Sequence, residues 1–591
     1  MTLESTIQLT AQQAITNLYH TNLPLEQIVL QETRKEFEGQ ITLVTFPIVR
    51  LSKKSPEQTG LELGEYLQKQ IKEIAGFNVI KGFLNLSITD SYWTGLLEGN
   101  ILKPDYGQFP PNGKKILIEY SSPNTNKPMH LGHVRNNLIG YAIAKILSAY
   151  GYQVTKANLI NDRGVHICKS MLAWQLFGNG ETPENSGLKG DHLVGKYYVI
   201  FDQAYKKQIE ELKAAGSTEE EAKKNAPLIL QAQDLLIKWE NGDQAVINLW
   251  KTMNSWVYAG FEETYKKLSI SFDKYYYESN TYLLGKDLIE EGLAKNVFFK
   301  KPDGSVWIDL TAEGLDEKLV LRADGTSVYM TQDLGTAQLK YNDFQMDESM
   351  YVVGNEQDYH FKVLFLILKK LGKTWANGLY HLSYGMVDLP SGKMKSREGT
   401  VVDADDLIHE MITTAQKRTE ELGKTAEFST QKKKDLYRII GLGALKYFLL
   451  KVEPKKRLLF DPNESIDFQG HTGPFIQYTY ARINSILTKA SYASTNKTKR
   501  SSTLTIIERD LLVLLSQYPS IIEIAAKEYN PAQIANYAFE LAKCYNKFYH
   551  EEPILKAEDN LKQFRLDLSA ATASVIKKGM HLLGISVPDS M

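Results

Sequence analysis

Lys115-Ile116-Leu117-Ile118-Glu119-Tyr120, followed by Ser121-Ser122-Pro123-Asn124-Thr125-Asn126-Lys127-Pro128-Met129-His130-Leu131-Gly132-His133, decides the fold. The first six residues are a short apolar, isoleucine-rich run, which reads as a buried strand. A loop of Pro, Asn and Ser then leads into a helix from about His130 to Tyr150, with apolar positions at Leu131, Val134, Leu138, Ile139, Ala142, Ile146 and Leu147. Gly151 stands where a helix C-cap glycine belongs. A second strand-like run, Gln153 to Ile160, follows. Strand, helix and strand in this order form a right-handed crossover of a parallel sheet.

In open parallel sheets, ligands bind beyond the carboxyl ends of the strands, where loops feed helix N-termini. The loop 119–133 is in that place. Helix N-termini offer N–H groups and partial positive charge suited to phosphate. His130 and His133 are three apart, hence on one helix face, and both can donate to phosphate oxygens. Gly132 lets a flat base lie against the backbone, and Lys127 adds a mobile cation. A zinc pair would need further ligands, and no Cys-x-x-Cys or His-Glu-x-x-His accompanies the histidines. Read from its residues, the loop is an ATP site.

Around this centre the chain divides. Residues 1–110 read as a mixed α+β domain, closing in Pro104, Pro110, Pro111 and Gly113. Residues 111–404 are the catalytic domain, with a polar helical insertion at about 175–300. A helical connecting region, 405–464, precedes a helical domain over 465–591. The expected fold is therefore α/β, with a doubly wound parallel-sheet (Rossmann-like) catalytic domain between an α+β domain and an all-helical one. The 591 residues, 43% hydrophobic and 24% charged, have an ordinary globular composition. No secretory leader or membrane span is visible, and two cysteines exclude a disulfide framework, so a cytoplasmic location is expected. Net charge is −1, but Lys432-Lys433-Lys434, Lys455-Lys456-Arg457 and Lys497-Thr498-Lys499-Arg500 gather basic charge in the last third. Each run alone reads as solvated surface; together, interleaved with tyrosines, they suit a nucleic-acid contact face.

His130-Leu131-Gly132-His133 resembles the HIGH motif of class I aminoacyl-tRNA synthetases. The longer string, Glu-Tyr-Ser-Ser-Pro-Asn followed by Lys-Pro-x-His-x-Gly-His-x-Arg, is similar to arginyl-tRNA synthetases in particular. Residues 82–88 and 471–487 also fit that family. The resemblance implies a second, lysine-rich loop, here Gly392-Lys393-Met394-Lys395-Ser396-Arg397. Ser396 replaces the family's second lysine, and the resemblance gives the task of compensating for it to Lys127, with Lys395, one place early, as the alternative.

The resemblance further implies that His130, His133, Lys127 and Lys393 are catalytic, and that Gly132, His360, Met394 and Lys395 join both histidines in holding ATP. Arginine carries five guanidinium donors, so its pocket needs carboxylates. Glu119, Tyr329 and Asp333 match the family's guanidinium contacts, and Ser121, Asn124 and Gln357 match positions around the rest of arginine. By spacing alone Tyr329 and Asp333 are an ordinary surface pair; Glu119, ending a buried strand where an unpaired carboxylate is costly, reads as having a ligand partner, with a salt bridge to a protein arginine as the alternative. Arg163, where many relatives have tryptophan, is given no role. The implied reaction is formation of arginyl-adenylate from arginine and ATP, then transfer to the 2′-hydroxyl of the terminal adenosine of tRNA(Arg). The implied ligands are L-arginine, tRNA and ATP with its Mg2+, with no protein-held metal and no membrane partner, in a monomer. The rivals are a different His-x-Gly-His nucleotidyltransferase and a non-catalytic tRNA-binding relative.

Overall fold

The structure, a computed structural model, describes residues 2–388, 402–421, 423, 427–493 and 503–591. The loop carrying Lys393, Met394 and Lys395 and the basic run 497–500 lie outside them. The chain forms two compact units, one of Met1–Tyr106, Arg482–Pro519 and Glu540–Ile576, the other of Gly107–Ala481, Ser520–Phe539 and Lys577–Met591.

The second unit is built on a five-stranded sheet. Its strands are β1 (Lys115–Glu119), β2 (Gln153–Ile160), β3 (Lys274–Tyr277), β4 (Glu348–Gly354) and β5 (Leu379–Tyr384), in the order β5-β4-β1-β2-β3. Every neighbouring pair is parallel. The order runs outward in both directions from β1, so the direction of winding reverses between β1 and β4, which is where such folds place ligands. Helix α1 (Leu131–Ala149) makes the first crossover, capped at Tyr150, and Gly151 follows at φ 97°. Ile116, Leu117 and Ile118 of β1 are at most 2% exposed, as a strand covered on both faces requires. Helix α2 (Val165–Phe177) follows β2, and α3 (Tyr329–Phe344) and α4 (Asp358–Lys370) flank β4.

The insertion is helical over Gly190–Ala214, Pro227–Glu240, Gln244–Leu268 and Lys286–Ala294, but not throughout. Lys274-Tyr275-Tyr276-Tyr277 returns to the main sheet as the edge strand β3. Edge strands bury little, and three of its four residues are half-buried, so no apolar run marks it. Val306–Ile308 belongs to a separate three-stranded antiparallel sheet.

The first unit pairs a four-stranded antiparallel sheet with helices Leu3–Tyr19 and Pro56–Gln70. Helices from the carboxy-terminal third join it: Asp90 accepts from the Arg509 guanidinium at 2.8 and 3.1 Å and from the Leu504 N–H at 2.9 Å. Among the described residues no helix is long and apolar enough to cross a membrane.

Candidate active site

The chain leaves β1 through two non-glycine residues with positive φ, Ser121 at 79° and Ser122 at 45°. Such a conformation persists only where the surroundings hold it. Here the Ser121 N–H donates to Asn136 Oδ1 and the Ser122 N–H to Asn158 Oδ1 at 3.1 Å. Asn136 in turn donates to the Val352 carbonyl of β4 at 2.7 Å, tying the loop across the switch point. The Thr125 N–H then donates to the Asn161 carbonyl beyond β2, at 3.0 Å.

His130 is the N-cap of α1. Its Nδ1 accepts from the Gly132 N–H at 3.1 Å, and His133 Nδ1 accepts from the His130 N–H at 3.2 Å. The rings lie 3.9 Å apart between centroids. A Cβ on residue 132 would lie 2.9 Å from His130 Cε1, so glycine is what lets His130 fold back over the first turn. The Leu131 N–H is also occupied, donating to the Val402 carbonyl. The first N–H groups of α1 are therefore spent within the protein, contrary to the expectation that they face phosphate. With both Nδ1 atoms accepting, each ring carries its proton on Nε2 and keeps that N–H as its donor. Burial, helped by Lys127, pushes the His130 pKa down to about 4; burial, His130 and Lys127 push His133 well below its ordinary value. The pair is thus two neutral donors at neutral pH.

Arg135, one turn on, is fully buried and donates to the carbonyls of Gly385, Met386, Pro454 and Lys456 at 2.7–3.2 Å. It holds α1 to the chain on both sides of the second half of the fold.

A cavity of about 1040 Å3 opens at the carboxyl ends of β1, β2 and β3. Of the expected residues it gathers Asn124, Lys127, Tyr329 and Asp333. Tyr329 and Asp333 do share a helix face, that of α3, as their spacing requires. Asp333 accepts from His360 Nε2 at 2.6 Å, and His360 itself does not line the cavity. Gln357 is exposed on the short turn after Gly354 and does not line the cavity.

Glu119 and Ser121 lie behind the wall. Ser121 is 3% exposed and its Oγ meets Tyr265 Oη at 2.7 Å. Glu119, 5% exposed, is ion-paired with Lys340, which is 1% exposed and stands 4.5 Å over the Tyr351 ring. Burial alone would lower the Lys340 pKa, but Glu119, Tyr351 and Asp333 together outweigh it and the lysine stays above its ordinary value. Removing one partner of a buried pair strands the other charge, so Lys340→Met is expected to lower unfolding free energy by about 3–5 kcal/mol. The double change Glu119→Met with Lys340→Met should recover most of that loss in urea denaturation. A single-variant loss below about 1 kcal/mol would show the pair to be dispensable.

Three residues that sequence reasoning passed over shape the far side of the cavity: Glu278, Arg163 and Asp162. Glu278 opens a short helix directly after β3 and lines the cavity. Burial, the nearby Asp162 and Asp333 and, in opposition, Arg163 set its pKa at about 7. Asp162, 1% exposed, anchors it by accepting from the Ser279 N–H and Oγ–H and the Tyr258 O–H, at 2.7–2.8 Å. Arg163 stacks 3.8 Å over the Tyr282 ring, pairs with Glu240 and lines the cavity. Two carboxylates from different elements, with a tyrosine at the mouth, are what a guanidinium fork requires.

A family model described as tRNA synthetases class I (R), catalytic domain, matches residues 100–461, and a DALR anticodon binding domain matches 476–591. An arginine–tRNA ligase of Bacteroides fragilis is 56% identical over 580 residues, covering 97% of each chain. That of Flavobacterium psychrophilum is 56% identical and covers all of both chains. Among solved structures, Thermus thermophilus arginyl-tRNA synthetase matches with a TM-score of 0.81 at 24% identity, over the whole of both chains.

Proposed function

The chain belongs to the class I arginyl-tRNA synthetases and is an arginine–tRNA ligase that joins arginine to ATP as arginyl-adenylate, releasing pyrophosphate, and passes the arginyl group to tRNA, releasing AMP, and from that premise we propose which of its residues do each part of the work. The observation that carries the assignment is the cavity beyond β1, β2 and β3, where Glu278, Asp333 and Tyr329 face Asn124 and Lys127. Glu278 and Asp333 accept the guanidinium, with Tyr329 at its edge and His360 orienting Asp333. Asn124 takes the α-amino and carboxylate end.

His130 and His133 donate Nε2–H to the triphosphate, and Lys127 adds charge as pyrophosphate leaves. Phosphoryl and nucleotidyl transfer asks little covalent chemistry of the protein; positioned donors and cations that match the developing charge supply the rate. Lys393, with Met394 and Lys395, serves the same end from the second loop. Mg2+ enters on the ATP phosphates. Among the described residues the one grouping with metal-ligand spacing, Asp191, His192 and Asp405, already holds Lys189 and Lys267 against its carboxylates.

In this reading 1–110 and 465–591 are the tRNA-contacting modules, 111–404 is catalytic and 405–464 connects. The enzyme works as a cytoplasmic monomer. Arginine-dependent exchange of pyrophosphate into ATP tests this assignment, and it is expected only when tRNA is present. Exchange that is equally fast without tRNA would remove tRNA from the activation step, and no exchange in either case would sink the residue roles altogether.

A further inference from the structure

Beside the histidine loop, away from the cavity, the helix Gly190–Ala214 begins in a dense knot of charge. Lys189, its N-cap, donates to Asp405 Oδ2 at 2.6 Å, to Asp191 Oδ2 at 3.0 Å and to Thr264 Oγ1 at 2.6 Å. Lys267 reaches the other oxygen of Asp405 at 2.7 Å. His192 Nε2 lies 3.4 Å from Asp405 and 3.3 Å from Asp403. Asp191 is fully buried, and the Asp405 side chain is 13% exposed. A knot of this kind, where one carboxylate meets two lysines and a histidine, has a defined geometry that a lone surface pair lacks.

What it holds is the backbone of 402–404. The Leu131 N–H donates to the Val402 carbonyl at 3.1 Å, the Ala404 N–H donates to the Met129 carbonyl at 2.9 Å, and His130 and Asp403 form an antiparallel bridge. Asp403 Oδ1 then caps the helix Ala404–Glu421 by accepting from the Asp405 and Asp406 N–H groups. The same insertion helix also touches the loop directly: a Cβ on Gly195 would lie 2.7 Å from Pro128 Cδ. The backbone that aims His130 is therefore gripped from two sides, and both grips lead to the first turns of one helix.

We propose that Asp405, held by Lys189, His192 and Lys267, is a positioning centre for the adenylation step, fixing Val402–Ala404 against Met129–Leu131 and so aiming the His130 and His133 Nε2–H groups. The inference rests on the reading of those histidines as phosphate donors. Asp405 touches no reacting atom. It acts through two backbone hydrogen bonds, and a misplacement of about 1 Å at such a distance from the chemistry is enough to lower the rate by up to about 100-fold. The guanidinium fork itself, Glu278 after β3 and Asp333 on α3, makes none of these contacts, so arginine affinity should be little changed.

The test is pyrophosphate exchange with saturating tRNA, varying arginine, on four full-length variants. Asp405→Asn, which keeps shape and loses charge, is expected to lower kcat about 30-fold with the arginine KM within about twofold of the parent. Asp405→Glu should regain most of that, and His192→Gln, which leaves both lysines on Asp405, should lose about fivefold. Should Asp405→Asn fail to fold, His192→Gln carries the test alone. The inference is overturned if the variants keep the parental kcat. It is equally overturned if the arginine KM rises in step with the fall in kcat, or if Asp405→Glu is no better than Asp405→Asn. His130→Ala is the control: a parental rate there removes the reading of the histidines itself, whereas a large loss there with none at Asp405 removes only the positioning role.

Discussion

Glu278→Gln is expected to raise the KM for arginine about 100-fold while leaving that for ATP nearly unchanged, because a charged partner of a desolvated guanidinium is worth roughly 2–5 kcal/mol. Glutamine matches the shape and keeps one acceptor, so the loss isolates the charge. Asp333→Asn should act in the same direction on the other arm of the fork. The rise should be smaller, since Asp333 is more open to water, and it should be joined by weakening of its hydrogen bond to His360.

The pH dependence gives an independent check. Glu278 ionises at about 7 in the empty site, against an ordinary 4.5, because burial disfavours its charge. A raised carboxyl pKa means the folded protein holds this proton more tightly than the unfolded chain. The empty enzyme thus loses stability here as pH rises from 4.5 through 7. Arginine, which needs the charged carboxylate and is itself always charged, restores it. Apparent affinity scales with the charged fraction of Glu278, so the arginine KM should fall about tenfold between pH 6 and pH 8, with proton release on binding. Glu278→Gln should flatten that profile at its weak level. An arginine KM independent of pH in the parent enzyme would remove Glu278 from the fork.

These two carboxylates show how differently sequence and structure speak. Asp333 was legible because it and Tyr329 match the family's guanidinium contacts; spacing alone leaves them an ordinary surface pair, though α3 is indeed helical over both. Lys340, two turns further along the same face, is a cation whose partner Glu119 lies on another element, and no local pattern could pair them. Glu278 stands in an ordinary Tyr-Glu-Ser, and its meaning comes wholly from following an edge strand too short and too half-buried to show a period. The crossover of β1, α1 and β2 was readable to within a residue or two, since apolar runs, a loop and a capping glycine agreed. The strained turn at Ser121 and Ser122 was not, because it is held by tertiary hydrogen bonds to Asn136, Asn158, Asn161 and Tyr265, which no local pattern announces.

At the other end of the site, His130→Asn should lower the rate of arginine activation by about 100- to 1000-fold, the usual effect of removing one positioned donor from a developing oxyanion. The choice of asparagine matters. Nδ1 of His130 is a helix cap, while the proposed ATP contact uses Nε2, and asparagine is among the best N-caps, so the shorter side chain can keep the Gly132 N–H satisfied. What it cannot do is reach as far as Nε2. His130→Ala should lose the same rate and, in addition, about 1 kcal/mol of stability from the lost cap. Rate loss without stability loss in the asparagine variant therefore separates the ligand from the cap. The acid side offers a second separation. His130 takes up a proton only at about 4, against 6.5 for a free imidazole, so its contribution to stability is present above 6.5 and fades as pH falls toward 4. Catalysis through a neutral Nε2–H should accordingly show no histidine titration between about pH 6 and 9. A rate that climbs as pH drops through that interval would mean that the working form is the imidazolium, and that the burial of this loop serves something other than keeping its two histidines neutral.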